Sequence, residues 1–70
     1  RFAGQYGMPP HAWLLQQGAE RARAHVRDGM PLALAAAAAG FADQAHMTLV
    51  FTRQFGFTPG AWQRAVAAAQ

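Results

Sequence analysis

Residues 36–43 read Ala-Ala-Ala-Ala-Gly-Phe-Ala-Asp, and this stretch decides how the chain folds. The alanines favour a helix, and Gly40 can adopt the positive φ at which a helix ends. Asp43 suits the start of another helix, because its carboxylate can accept a hydrogen bond from a free backbone N–H group. We therefore predict two helices, residues 32–39 and 43–55, that cross steeply at a tight turn.

This pair of helices has the form of a helix-turn-helix. The small side chain of Ala36, one turn before Gly40, would let the two helices approach closely. A purely structural helical corner needs the same glycine and the same small residues, so the stretch alone leaves both interpretations open.

The second of these helices has two different faces. Its large apolar side chains recur at helical spacing and predict a buried face made of Met47, Phe51 and Phe55. A rotation of about 100° per residue places five other residues on the opposite face. They are Ala45, His46, Leu49, Thr52 and Arg53.

A twelve-residue phrase begins at Phe2 and recurs from Phe51, 49 positions later, with six identical residues. Each copy contains an aromatic helix end, a glycine that can stop the helix, and a proline that can open the next one. The chain is therefore predicted to pass twice through the same junction between helices. We interpret residues 1–8 as the end of a preceding helix-turn-helix unit and the whole chain as the C-terminal part of a duplicated helical unit.

Residues 9–28 are predicted to form a long linker helix, and residues 29–70 are predicted to form the second unit. The linker has an apolar stripe that contains Leu15, Ala19, Ala22 and Val26. Its charged residues lie mostly off that stripe and predict a solvated face, with Glu20 near Arg23. Gly18 should cost this helix about 1 kcal/mol relative to alanine, and the sequence offers no reason for it. In the last helix, which Thr58-Pro59 opens, Trp62, Val66 and Ala69 are predicted to point inward.

Composition limits the classes of function. The formal net charge is +3, from six arginines against three acidic residues, which permits a polyanionic partner without requiring one. There is no cysteine for a disulfide or a thiolate metal site. The longest apolar run, residues 32–39, is too short for a bilayer span, and no signal sequence opens the chain. We predict a soluble, cytoplasmic protein with no membrane partner.

The sequence gives little support for a catalytic site or a metal-binding site. His11, His25 and His46 lie in separate segments without a partner at i, i+4, so no metal site is predicted. No nucleophile stands with a histidine and a carboxylate, and neither an enzyme nor a cofactor is predicted. Trp13 and Trp62 occupy matching places in the repeat, which favours a core role over a platform for stacked bases.

From Gly29 to Trp62 the sequence resembles the second helix-turn-helix of AraC/XylS-type transcriptional regulators. The strongest matches are Gly40-Phe41, Asp43-Gln44, Phe51, Phe55-Gly56 and Thr58-Pro59. Upstream, Gly7, Pro10 and Trp13-Leu14 are similar to the end of that family's first unit and the start of its linker helix. The resemblance implies an all-α fold, in which a homeodomain-like helical unit follows a long linker helix.

The resemblance also implies a function, which is sequence-specific binding of duplex DNA as part of a bacterial transcriptional regulator. The effector-binding domain of that regulator would be absent from this chain, and RNA polymerase is a second candidate partner. Residues 43–55 would be the recognition helix, and the start of the last helix would contact the DNA backbone. The implied DNA-binding residues are Gln44, Ala45, His46, Thr48, Leu49, Thr52, Arg53, Pro59 and Gly60.

Gln44 is the strongest candidate for base recognition, because a glutamine amide at a helix tip can pair bidentately with adenine. A first-turn polar residue that only faces solvent is the alternative. The sequence also departs from the family, which favours basic residues at Leu49 and Thr52, and Arg53 remains the only arginine or lysine of this helix. These departures leave a second hypothesis open, namely a helical protein-interaction module that keeps the fold but has lost most DNA contacts.

Overall fold

The computed structural model describes residues 11–69, which form four α-helices. In chain order they are α1 (His11–Arg27), α2 (Leu32–Ala38), α3 (Gln44–Phe55) and α4 (Pro59–Ala69). The predicted all-α fold is confirmed. Across the described part of the chain, no helix combines the length and the apolar character that a bilayer span requires.

Some predictions fall on residues that the structure does not describe. The end of a preceding unit at residues 1–8 lies outside the described residues, and so does most of the first copy of the repeat, residues 2–13. The first two residues of the predicted linker helix, 9–28, lie outside them as well, and the described helix begins at His11.

The turn between α2 and α3 forms as the sequence predicts. Gly40 adopts a φ of 91°, and the Phe41 backbone N–H donates to the Ala36 carbonyl over 2.9 Å, which closes the end of α2. Asp43 is extended, with a φ of −159°, and its carboxylate accepts a hydrogen bond from the His46 backbone N–H at 2.8 Å. The predicted break between two helices is confirmed, although α2 ends one residue earlier than expected.

The core is small and depends on close helix approach. Its largest fully buried side chains are those of Val26, Met47, Phe51 and Pro59. Alanines fill the remaining contacts between helices, at positions 19, 22, 35, 36 and 39. The buried faces predicted for α1 and α3 are therefore confirmed at most positions, whereas Leu15 and Phe55 are only half-buried.

Gly18, which the sequence leaves unexplained, has a packing role. It is buried in the middle of α1, where a Cβ atom would lie 3.1 Å from the tip of the Phe41 ring and 3.4 Å from the Ala39 carbonyl oxygen. Such a contact is tighter than ordinary van der Waals packing. The glycine therefore weakens the helix locally but lets the turn after α2 press directly against the α1 backbone.

Helix α4 is held to α1 by Trp62 and Arg23. The indole N–H of Trp62 donates to the Arg23 carbonyl at 3.0 Å. The Arg23 guanidinium lies 5.0 Å from the centre of the Phe55 ring and also forms the predicted ion pair with Glu20, at 3.2 Å. Because that ion pair is largely exposed, we attribute most of the stabilisation by Arg23 to its aromatic contacts.

Two predictions about the core are wrong. Ala69 is exposed, because the last turn of α4 extends past the helices that cover Val66. Trp13 is 48% exposed, since the fully buried part of α1 begins only at Gly18. Trp62, its counterpart in the repeat, packs against the core as predicted, although it is only half-buried.

Candidate nucleic-acid interface

The outward side of α3 is an open surface on a firmly anchored helix. Ala45, Leu49 and Arg53 are all exposed and follow one another at four-residue spacing, so they form a single row along the helix. On the opposite side Met47 and Phe51 are fully buried. We call Ala45, Leu49 and Arg53 the outward row. Because the buried side chains fix the rotation of α3, the row cannot turn away from solvent.

The N-terminal tip of α3 adds polar groups beside this row. Gln44 is exposed in the first turn, and the Asp43 carboxylate engages the His46 backbone N–H. The first N–H groups of a helix have no partner within the helix, so those of Gln44 and Ala45 can donate to another molecule. The positive end of the helix dipole lies at the same place and favours an anion such as phosphate.

Fewer side chains of α3 are exposed on the side opposite Met47 and Phe51 than the sequence predicts. His46 is half-buried, and its ring packs edge-on against Phe41 with the ring centres 5.2 Å apart. His46 Nδ1 and Thr52 Oγ1 are both buried and find no hydrogen-bond partner among residues 11–69. Thr48 Oγ1 donates to the Gln44 carbonyl at 2.9 Å. His46 and Thr52, which the helical period places opposite the buried face, are therefore only partly exposed, since both side chains pack partly against the protein.

The start of α4 is capped as predicted, but its proline faces inward. The Thr58 hydroxyl accepts a hydrogen bond from the Ala61 backbone N–H at 3.1 Å. Pro59 is fully buried, so its ring cannot be a contact surface for DNA. Pro59 instead fixes where α4 begins, and the half-buried Gly60 follows it at the helix N-terminus.

Arg64 is a candidate residue that sequence reasoning missed. It is exposed, and a Cβ atom placed on Gly60 would lie 3.6 Å from Arg64 Nη1, so the guanidinium lies over the first turn of α4. The four-residue spacing from Gly60 is the sequence signal that could have indicated this neighbour. The start of α4 therefore carries a positive side chain as well as free backbone N–H groups.

The five arginines of residues 11–69 divide into two groups. Arg21, Arg23 and Arg27 contact groups of the protein itself, namely a carbonyl oxygen or a carboxylate. Arg53 and Arg64 make no ion pair or side-chain hydrogen bond within residues 11–69. Within residues 11–69, the arginines that make neither an ion pair nor a side-chain hydrogen bond therefore lie on α3 and α4.

Comparison with known proteins agrees with this geometry. A family model described as a helix-turn-helix domain matches residues 1–65, which is nearly the whole chain. Comparisons with curated proteins and with solved structures gave no match. The matched segment includes α2, the turn at Gly40 and α3, which are the parts that define the motif. This chain therefore belongs to the AraC/XylS type of helix-turn-helix DNA-binding domains.

Proposed function

We propose that this chain binds duplex DNA sequence-specifically, as part of a bacterial transcriptional regulator, by placing α3 in the major groove. The observation that carries the proposal is the contrast between the two sides of α3. One side is anchored by the fully buried Met47 and Phe51, and the other presents an exposed row that ends in Arg53, which has no ion pair within residues 11–69. An α-helix held in this way has the width that the major groove accepts.

Within this proposal the exposed groups have different tasks. Gln44, at the helix tip, is suited to base edges, because its amide offers a donor and an acceptor side by side. Arg53 and Arg64 are suited to phosphates, since both are exposed and have no carboxylate partner within residues 11–69. The Gly60 backbone N–H, at the start of α4, would donate to the same phosphate backbone. A regulator of this kind acts in the bacterial cytoplasm.

A protein-interaction module is the second candidate, and one observation favours it. Leu49 is 49% exposed in the middle of the outward row, where the family favours a basic residue. A large apolar side chain on an exposed helix face also suits contact with a protein, such as RNA polymerase or a partner subunit. The experiment that tests the first candidate must therefore also be able to detect the second.

We expect Gln44→Ala and Arg53→Ala to affect DNA binding in different ways. Gln44→Ala should lower discrimination at one base position by about 1–3 kcal/mol and leave the salt dependence nearly unchanged. Arg53→Ala should weaken binding to every sequence alike and reduce the slope of log K against log salt by about one unit. The measurement is a salt titration of each variant against a site selected from random duplex DNA and against a scrambled site.

Arg27→Ala is the matched control for charge. It also removes one exposed arginine, but from the end of α1, where Arg27 pairs with Asp28 at 3.3 Å. For Arg27→Ala, the slope of log K against log salt should equal that of the unmodified chain. If neither Gln44→Ala nor Arg53→Ala alters DNA binding, while Leu49→Asp abolishes association with RNA polymerase, the protein-interaction module is the correct function.

A further inference from the structure

The middle of the outward row lacks groups that could form hydrogen bonds. Ala45 and Leu49 are apolar and exposed. The neighbouring hydroxyls are engaged or inaccessible, since Thr48 Oγ1 donates to the Gln44 carbonyl and Thr52 Oγ1 is buried. Between the amide of Gln44 at the tip and the guanidinium of Arg53, the side chains of the outward row itself are therefore only hydrocarbon.

We propose that Leu49 is a specificity-determining residue that recognises the C5 methyl group of thymine. This inference rests on the proposed function and deepens it, because it names a chemical feature of the DNA site. Thymine is the only DNA base with a methyl group on its major-groove edge, beside its O4 acceptor, and the edges of the other three bases carry donors or acceptors without a methyl group. Against those edges Leu49 would remove water without replacing the lost hydrogen bond. The same side chain thus favours thymine and disfavours the other three bases.

The geometry of the row is compatible with such a contact. Ala45 lies one turn before Leu49 and has a short side chain, so the helix can approach the base edges closely at its N-terminal end. Four residues of helix advance about 6 Å, and stacked base pairs are about 3.4 Å apart, so Ala45 and Leu49 together span roughly two base-pair steps. The recognised methyl group should therefore lie within about two base pairs of the base that Gln44 contacts.

DNA is favoured over a protein as the partner of this apolar patch because of what flanks it. A protein interface would be expected to surround Leu49 with further large apolar side chains. Here the exposed neighbours along the outward row are a small alanine and an arginine that has no ion pair in the described part of the chain, and Gln44 stands at the tip. These flanking groups suit base edges and phosphates.

The test removes the methyl group from the DNA and the leucine from the protein. Duplexes are first selected from a random pool on the immobilised 70-residue chain at low salt. Each thymine of the enriched site is then replaced by deoxyuridine, which lacks only the C5 methyl group. At one position Kd should rise about fourfold, the factor that follows from the transfer free energy of one methyl group.

Two leucine variants test whether Leu49 is responsible for this rise in Kd. With Leu49→Ala the thymine-to-deoxyuridine change at that position should leave Kd nearly unchanged. Leu34→Ala is the matched control, since Leu34 is 59% exposed on α2 and is not part of the proposed DNA surface. With Leu34→Ala, the thymine-to-deoxyuridine change should still raise Kd about fourfold. Circular dichroism of both variants should match the unmodified chain, because alanine favours the helix and neither leucine is in the core.

Each of the other possible results of this experiment contradicts a different part of the proposal. If a site is enriched but no deoxyuridine weakens binding, thymine recognition is wrong and sequence-specific DNA binding stands. If the methyl effect persists in Leu49→Ala, another residue contacts the methyl group and the assignment to Leu49 is wrong. If no site is enriched from the pool, the proposed function fails, and the inference fails with it.

Discussion

Phe51→Ala should lower the free energy of unfolding by about 3–5 kcal/mol, the range for truncating a buried aromatic side chain. Phe51 is fully buried and packs edge-on against Phe55, with ring centres 4.7 Å apart, and against Phe57 at 5.8 Å. A chain of this size is expected to have a total stability of only about 4–10 kcal/mol. The substitution should therefore remove a large part of the stability and populate the unfolded state under mild conditions.

Urea denaturation followed by circular dichroism measures this effect. Phe57→Ala is the matched control, because it is the same truncation two residues after the end of α3, where the side chain is 39% exposed. Its midpoint should lie well above that of Phe51→Ala. Equal midpoints for the two variants would contradict the packing described here, in which Phe51 is the centre of the core and Phe57 lies at its edge.

Gly18→Val should destabilise the chain by about 1–3 kcal/mol, although valine is a better helix former than glycine. The reason is steric, because a Cβ atom at this position would already lie 3.1 Å from the Phe41 ring, and valine adds two further methyl groups. Displacing that ring would also disturb His46, which packs against it in the first turn of α3. We therefore expect the substitution to weaken DNA binding as well as stability.

A double-mutant cycle with Phe41→Leu tests whether a clash with the Phe41 ring causes the destabilisation by Gly18→Val. A smaller side chain at position 41 leaves space for the valine, so the double variant should lose less stability than the sum of the two single variants. Thermal or urea unfolding of the four proteins supplies the numbers. If Gly18→Val alone is more stable than the unmodified chain, helix propensity outweighs packing and the role assigned to Gly18 is wrong.

Local sequence signals predicted the ends of the helices to within one residue across the described part of the chain. The stop at Gly40, the cap at Asp43 and the cap at Thr58 are present as predicted, and Gly56 ends α3 with a φ of 84°. Each of these features depends on residues within about four positions of one another, because caps and turns are closed by local hydrogen bonds. Periodicity likewise predicted the burial of Met47 and Phe51.

Features that depend on contacts between distant residues could be seen only in the folded protein. Gly18 gains its role from Phe41, and Trp62 donates a hydrogen bond to the carbonyl of Arg23, 39 residues away. The partial burial of His46 on α3 also follows from tertiary packing, since its ring lies against Phe41. A helical period gives the direction of each side chain but not which neighbours cover it, and that coverage is set by how α1 and the turn pack against α3.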